Sequence, residues 1–256
     1  MRFPTALAGL RRNPQAPAEL QSKTIVAVLG MHRSGTSAVA GMLADHGLEF
    51  GSIRRRNRFN PRGNREIPEL NELQEALLER GGGSWWSPPA EIRVRAGDLR
   101  RRNRILTAID GATIAVKDPR MLVCGPLWSD LELKPIGVVR NPAAVAASLA
   151  HRARERPERH PQLSTARWEA VWVVYNRALL EEHRRRPFPI LDFDRPAGLD
   201  RGVARALEFW EIEPAGESGF LDPGLLRADA DTDWTSRVET AEALELWREL
   251  TEIASG

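Results

Sequence analysis

Three short stretches of this chain carry residue types at spacings that chemistry can use. In "VLGMHRSGTSAV" (28–39), Gly30 and Gly35 stand five positions apart and are followed by Thr36 and Ser37. That is the frame of a phosphate-cradling loop, G-x-x-x-x-G-K-[ST], with Thr36 where the lysine belongs. Consecutive backbone N–H groups and a helix N-terminus make such a loop a receptor for a phosphate-like anion. The missing cation is offered three residues earlier by Arg33, and Ser34, Thr36 and Ser37 add hydroxyl donors. In "KDPR" (117–120), the compact ammonium of Lys117 suits a bridging oxygen or a leaving phosphate whose charge grows in a transition state. In "RNPAAVAAS" (140–148), Arg140 precedes a helix and Ser148 lies about two turns into it. A phosphate near that helix start meets an arginine fork.

Each stretch also has a plainer reading. The first can be a glycine turn before an ordinary helix, the second a surface Asp–Pro turn, the third a helix capped by Asn141 with Pro142 in its first turn. The last explains Asn141 and Pro142 but not Arg140. What favours chemistry is where the elements put all three. "TIVAVLG" (24–30), "ATIAVKDP" (112–119), "KPIGVVRNP" (134–142) and "FPILDFD" (188–194) are short apolar runs that read as buried strands. Helical patterns fall between them: 36–47, 67–83, 143–153, 164–186, 200–212 and 238–250, with a short interrupted helix at 121–131. Strands alternating with helices predict an α/β fold, a parallel sheet covered on both faces. Ligands of such sheets sit beyond the carboxyl ends of the strands, and all three stretches lie there. The stripe Trp168, Val171, Trp172, Tyr175 and Leu179 in 164–186 reads as core.

Composition narrows the class. The chain has 256 residues, 42% hydrophobic and 28% charged, with a net charge of +2. This is ordinary for a globular protein, and residues 23–256 read as one domain after a loose leader or short helix over 1–22. A single cysteine, Cys124, excludes a disulfide framework and a cysteine zinc site, and a reducing cytoplasm is the expected compartment. No apolar run reaches the ~18 residues of a membrane span. Basic runs at 54–65, 100–104 and 183–186 lack the aromatic interleaving of a nucleic-acid surface. The last two read as solvated faces, while 54–65 follows the anion loop and its helix and suits an anionic ligand. Only Lys23, Lys117 and Lys134 are lysines among 37 basic residues, which marks Lys117 in an otherwise arginine-rich chain.

In order, "HRSGTS", "KDPR" and "RNPAAVAASL" resemble the motifs of the sulfotransferases that use 3′-phosphoadenosine 5′-phosphosulfate (PAPS). The resemblance implies a P-loop NTPase-like three-layer sandwich and transfer of a sulfuryl group to an acceptor hydroxyl. Arg33, Ser34, Gly35, Thr36 and Ser37 then hold the 5′-phosphosulfate, Arg140 and Ser148 the 3′-phosphate, and Lys117 serves catalysis, as in the K-D-P of tyrosylprotein sulfotransferases. Bacterial members also show N-x-x-G-x-x-E, a Leu- and Asn-bearing helix and a Trp, matched here by Asn60, Gly63, Glu66, Asn71 and Trp85 or Trp86. By that likeness Glu66 is the catalytic base. Its plainer reading is a helix N-terminal carboxylate favoured by the dipole. Trp85 and Trp86 fit an acceptor wall or core plugs. No metal is expected, since a sulfuryl group carries less charge than a phosphoryl. The acceptor is a small molecule, a carbohydrate or a peptide.

The likeness covers about 24–150. His32 replaces the loop's usual proline, Pro119 stands where cytosolic members have a histidine base, and "RADADTDW" (227–234) replaces their basic nucleotide lid. Two other readings stay open. One is a kinase or NTPase with a degenerate phosphate loop, using Asp118 or Asp192 on magnesium, and the other is an inactive protein that binds 3′-phosphoadenosine 5′-phosphate (PAP).

Overall fold

The computed structural model describes residues 16–53, 63–158, 160–216, 218–220 and 233–255. Asn60, most of the basic run 54–65 and all but the last two residues of the acidic stretch 227–234 lie outside them. In chain order the elements are α1 (Ala18–Gln21), β1 (Thr24–Leu29), α2 (Thr36–Asp45), α3 (Pro68–Arg80), α4 (Ala96–Thr107), β2 (Thr113–Lys117), β3 (Leu133–Val139), α5 (Pro142–Glu155), α6 (Thr165–Arg185), β4 (Ile190–Asp192), α7 (Leu199–Phe209) and α8 (Ala241–Ser255). Two 3₁₀ turns, Pro119–Leu122 and Gly125–Leu127, stand where an interrupted helix was expected. Among the described residues no helix is long and apolar enough to cross a membrane.

The four strands form one sheet in the order β2-β1-β3-β4, every pair parallel. Side chains alternate between two cores, as the two-residue period of a strand requires. Ile25, Ala27 and Leu29 of β1 face one cluster with α3, α4, α5, α6 and α8, whereas Val26 and Val28 face the other with α2 and α7. This is the parallel sheet covered on both faces that the apolar runs predict, and the three-layer sandwich that the resemblance implies. Parallel pairing sets Val28 opposite Lys117, and Leu29 opposite Gly137. The ends of β1, β2 and β3 therefore open on the same edge.

The sequence pattern did not predict α4. Its buried residues are Asp98, Leu99, Arg102, Asn103 and Leu106, a helical spacing in which three of five positions are polar. The run 100–104 is thus only partly a solvated face: Arg102 is 0% exposed. Its guanidinium donates to the Leu127 carbonyl, to Asn103 and to both Asp130 oxygens, the Nη2–Oδ2 contact being 2.8 Å. A buried charge is tolerated when so fully paired.

Glu169, also 0% exposed, ties α8 to α6. Its carboxylate accepts the Glu239 N–H at 2.9 Å, the Thr240 N–H at 2.8 Å and the Thr240 hydroxyl at 2.7 Å. Helix starts leave N–H groups without partners, and here an acidic side chain from another helix supplies them. Replacing Glu169 with Ala strands these donors, so denaturant unfolding is expected to show a loss of about 2–4 kcal/mol. An unchanged midpoint would show that water replaces the carboxylate at no cost.

Candidate active site

The loop 30–37 joins β1 to α2 and is shaped by two glycines. At Gly30 a Cβ would lie 2.6 Å from the Val138 carbonyl oxygen, so the close approach of β1 to β3 admits no side chain. Gly35 has φ +89°, and a Cβ there would enter the Phe193 ring at 2.1 Å. Between them Arg33 takes φ 69°, left-handed and uncommon for a residue other than glycine. Gly35, the N-cap of α2, has no side chain to cap that start. Thr36 is buried and Ser37 half-buried at that start. The Ser34 hydroxyl is buried without a hydrogen-bond partner among the described residues.

Three of the predicted residues meet on this loop. Arg33 Nε donates to Ser148 Oγ at 2.9 Å, and Arg140 Nη1 donates to the Arg33 carbonyl at 3.2 Å. Arg140 leaves β3 just before Asn141, whose side chain caps α5 through the Ala143 and Ala144 amides. The indole N–H of Trp172 holds the Arg140 carbonyl at 3.0 Å. The plain capped-helix reading is thus correct for Asn141 and Pro142, and Arg140 has separate work. Its guanidinium lies over Phe193, 5.4 Å from the ring centre, with Asp194 at 3.7 Å. Burial lowers its pKa, against the pull of Asp194. Arg140 Nε finds no hydrogen-bond acceptor among the described residues. Two guanidinium groups thus converge at the start of α2, an arrangement that suits an anion with more than one charged group.

The second centre is at the end of β2. Lys117 Nζ donates to Glu66 Oε1 at 2.6 Å, their side chains 2% and 13% exposed. Glu66 is not merely a carboxylate at a helix start, because it pairs with the residue singled out at the adjacent strand end. Lys23 and Lys134 instead hold backbone carbonyls, Ile109 and Gly111 for the first and Trp210 for the second. Behind the loop, His32 packs at 4.3 Å on Trp85, which stacks on Trp168 at 5.9 Å. Trp85 is a core plug, with its carbonyl taken by the Tyr175 hydroxyl at 2.8 Å, while Trp86 stays partly exposed against its edge. Burial first, then Arg120 and Lys117, hold the His32 pKa well below its usual value, so the ring adds no charge to the loop near neutral pH.

Asp118 is fully engaged within the protein. Oδ2 accepts from Asn71 and from Gln74 Nε2 at 2.8 Å, and Oδ1 accepts from the Arg120 amide and Nη1, both at 2.9 Å. Asp192 accepts the Asp194 amide at 3.0 Å and faces Arg195 at 3.4 Å. Both acids offered for a magnesium ion therefore already have partners. Asp194 escaped notice in the sequence. It holds the Asn141 N–H at 2.6 Å, and burial pushes its pKa up against that bond. Its only sequence signal was its place beyond the end of a parallel strand.

The structure resembles solved sulfotransferase domains. It matches the one from the Synechococcus PCC 7002 olefin synthase with TM-score 0.54 and 18% identity, over 94% of this chain and 98% of that one. It matches the one from the curacin biosynthetic pathway with TM-score 0.54 and 15% identity, over 90% and 98%. Neither a family model nor a curated protein sequence matches the chain. At this identity the likeness is one of fold, P-loop-type and three-layered.

Proposed function

We propose that this chain belongs to the sulfotransferases and moves a sulfuryl group from PAPS to an acceptor hydroxyl. The observation that carries the reading is the meeting of Arg33, Arg140 and Ser148 on the loop, one strand away from the Lys117–Glu66 pair. Arg33, the loop amides and the hydroxyls of Ser34, Thr36 and Ser37 would hold the phosphosulfate end, and Arg140 with Ser148 the 3′-phosphate. Arg140 Nε and Ser34 Oγ, buried and without a hydrogen-bond partner among the described residues, fit such a ligand. When bound, PAPS supplies an activated sulfuryl group and a phosphate leaving group. Glu66 receives the acceptor's proton. Its Oε1 is held by Lys117, and no hydrogen bond to Oε2 occurs among the described residues. Lys117 and Arg33 place positive charge where the leaving phosphate gathers negative charge.

The test is sulfate transfer from labelled PAPS to hydroxyl acceptors of four classes: glycan, peptide tyrosine, lipid and small natural product. Transfer to at least one class, without added metal, supports the reading, and phosphoryl transfer from ATP with none from PAPS contradicts it. Arg140→Ala carries a separate expectation. Losing a charge-assisted contact costs about 1.5–3 kcal/mol, so calorimetry should show PAP bound about 10- to 100-fold more weakly. Unchanged PAP affinity would place the 3′-phosphate elsewhere.

A further inference from the structure

Glu66 and Lys117 lie 51 positions apart, and Glu66 sits outside any helix or strand, two residues before α3. Something must bring it to the strand end. The next residue after Lys117 is Asp118, and its carboxylate takes four hydrogen bonds. Two come from α3, from Asn71 and Gln74, and two from Arg120. Asn71 lies in the first turn of α3, five residues after Glu66. Gln74 is held in turn by the Trp128 indole, which donates to its Oε1 at 3.1 Å. Arg120 donates on to Glu75 of the same helix at 2.6 Å. Asp118, Asn71 and Gln74 are all nearly inaccessible, so water does not compete for these bonds.

We propose that Asp118 is a positioning residue, which latches the N-terminal half of α3 to the end of β2 and so fixes the Glu66 carboxylate on the Lys117 ammonium. Among the described residues the Asp118 carboxylate bonds to Asn71, Gln74 and Arg120, none of them assigned to substrate. It acts through the two residues it brings together. The catalytic part of this inference rests on the sulfotransferase reading, and the geometric part does not.

The test compares Asp118→Asn, the gentler Asn71→Ala and the paired exchange Asn71→Asp/Asp118→Asn, with Glu72→Ala on the exposed side of α3 as the control. Amide hydrogen exchange over residues 63–71 is read first, in the full chain without ligand. The Asp118→Asn variant should exchange at least tenfold faster there, Asn71→Ala less so, and the control at the wild-type rate. With PAPS and an acceptor, kcat should fall about 30-fold in Asp118→Asn while the KM for PAPS stays within twofold. The paired exchange restores a donor facing an acceptor, and should recover at least a third of the lost rate. Wild-type exchange over 63–71 in Asp118→Asn overturns the latch. So does a rise in KM matching the fall in kcat, or no recovery in the paired exchange. If the wild-type chain moves no sulfate, the sulfotransferase reading fails, and the exchange rates still decide whether the latch exists.

Discussion

Replacing Lys117 with Ala is expected to lower kcat by about three orders of magnitude, with PAP affinity changed by no more than a few-fold. Removing one preorganised donor from developing charge typically costs about 10²–10³ in rate. Here the loss is compounded, because Lys117 also holds Glu66 at 2.6 Å in a largely buried pair. Without the ammonium, the carboxylate keeps its charge only by turning toward water, which takes it from the acceptor. The nucleotide contacts proposed above rest mainly on Arg33, Arg140 and Ser148, so binding should survive. Arginine should not rescue the rate: Lys117 is 4% exposed, and a planar fork does not fit the space of a compact ammonium. Steady-state kinetics with PAPS and calorimetry with PAP check both halves. A fall in kcat below tenfold would remove Lys117 from the reaction.

Glu66→Gln should cost a comparable amount by a different route. Glutamine keeps an oxygen for Lys117 Nζ, so the local geometry is retained while the proton acceptor is lost. General base catalysis contributes about 10²–10⁴-fold, and a kcat reduced about 10³-fold with KM for PAPS unchanged is the expected signature. Full turnover in this variant would assign the base to another group. Because the two residues act as one unit, the double variant Lys117→Ala/Glu66→Gln should be little slower than either single one.

Much of the frame was legible because strands buried on both faces announce themselves. β1, β2 and β3 are short runs rich in β-branched residues, and each ends at a residue with chemistry to offer: Gly30, Lys117 and Arg140. The helices carrying apolar stripes were legible for the same reason, and all five residues of the stripe in α6 are buried. What stayed hidden was polar and buried. α4 went unseen because Arg102 and Asn103 occupy core positions, and a buried arginine looks like a surface one until its partner, Asp130, is known. Pairings across the chain carry no spacing signal either. Arg33 and Ser148 are 115 positions apart, and only the parallel register of β1 with β3 brings them together. The engagement of Asp118 with Asn71 and Gln74 was equally invisible, and it removes a magnesium ligand that the residue type alone allowed.

The central claim is that the loop holds a phosphosulfate nucleotide and not a metal-bound triphosphate. It is tested most directly by thermal unfolding of the full chain with PAP in the presence of a chelator, against ATP with magnesium. At ~100 times Kd a ligand stabilises by about 2.7 kcal/mol, a rise of roughly 5–10 °C for a chain of this size. The expected result is that rise with PAP, abolished together by Arg33→Ala and Arg140→Ala, and none with ATP and magnesium. Stabilisation by ATP and magnesium alone would contradict the account.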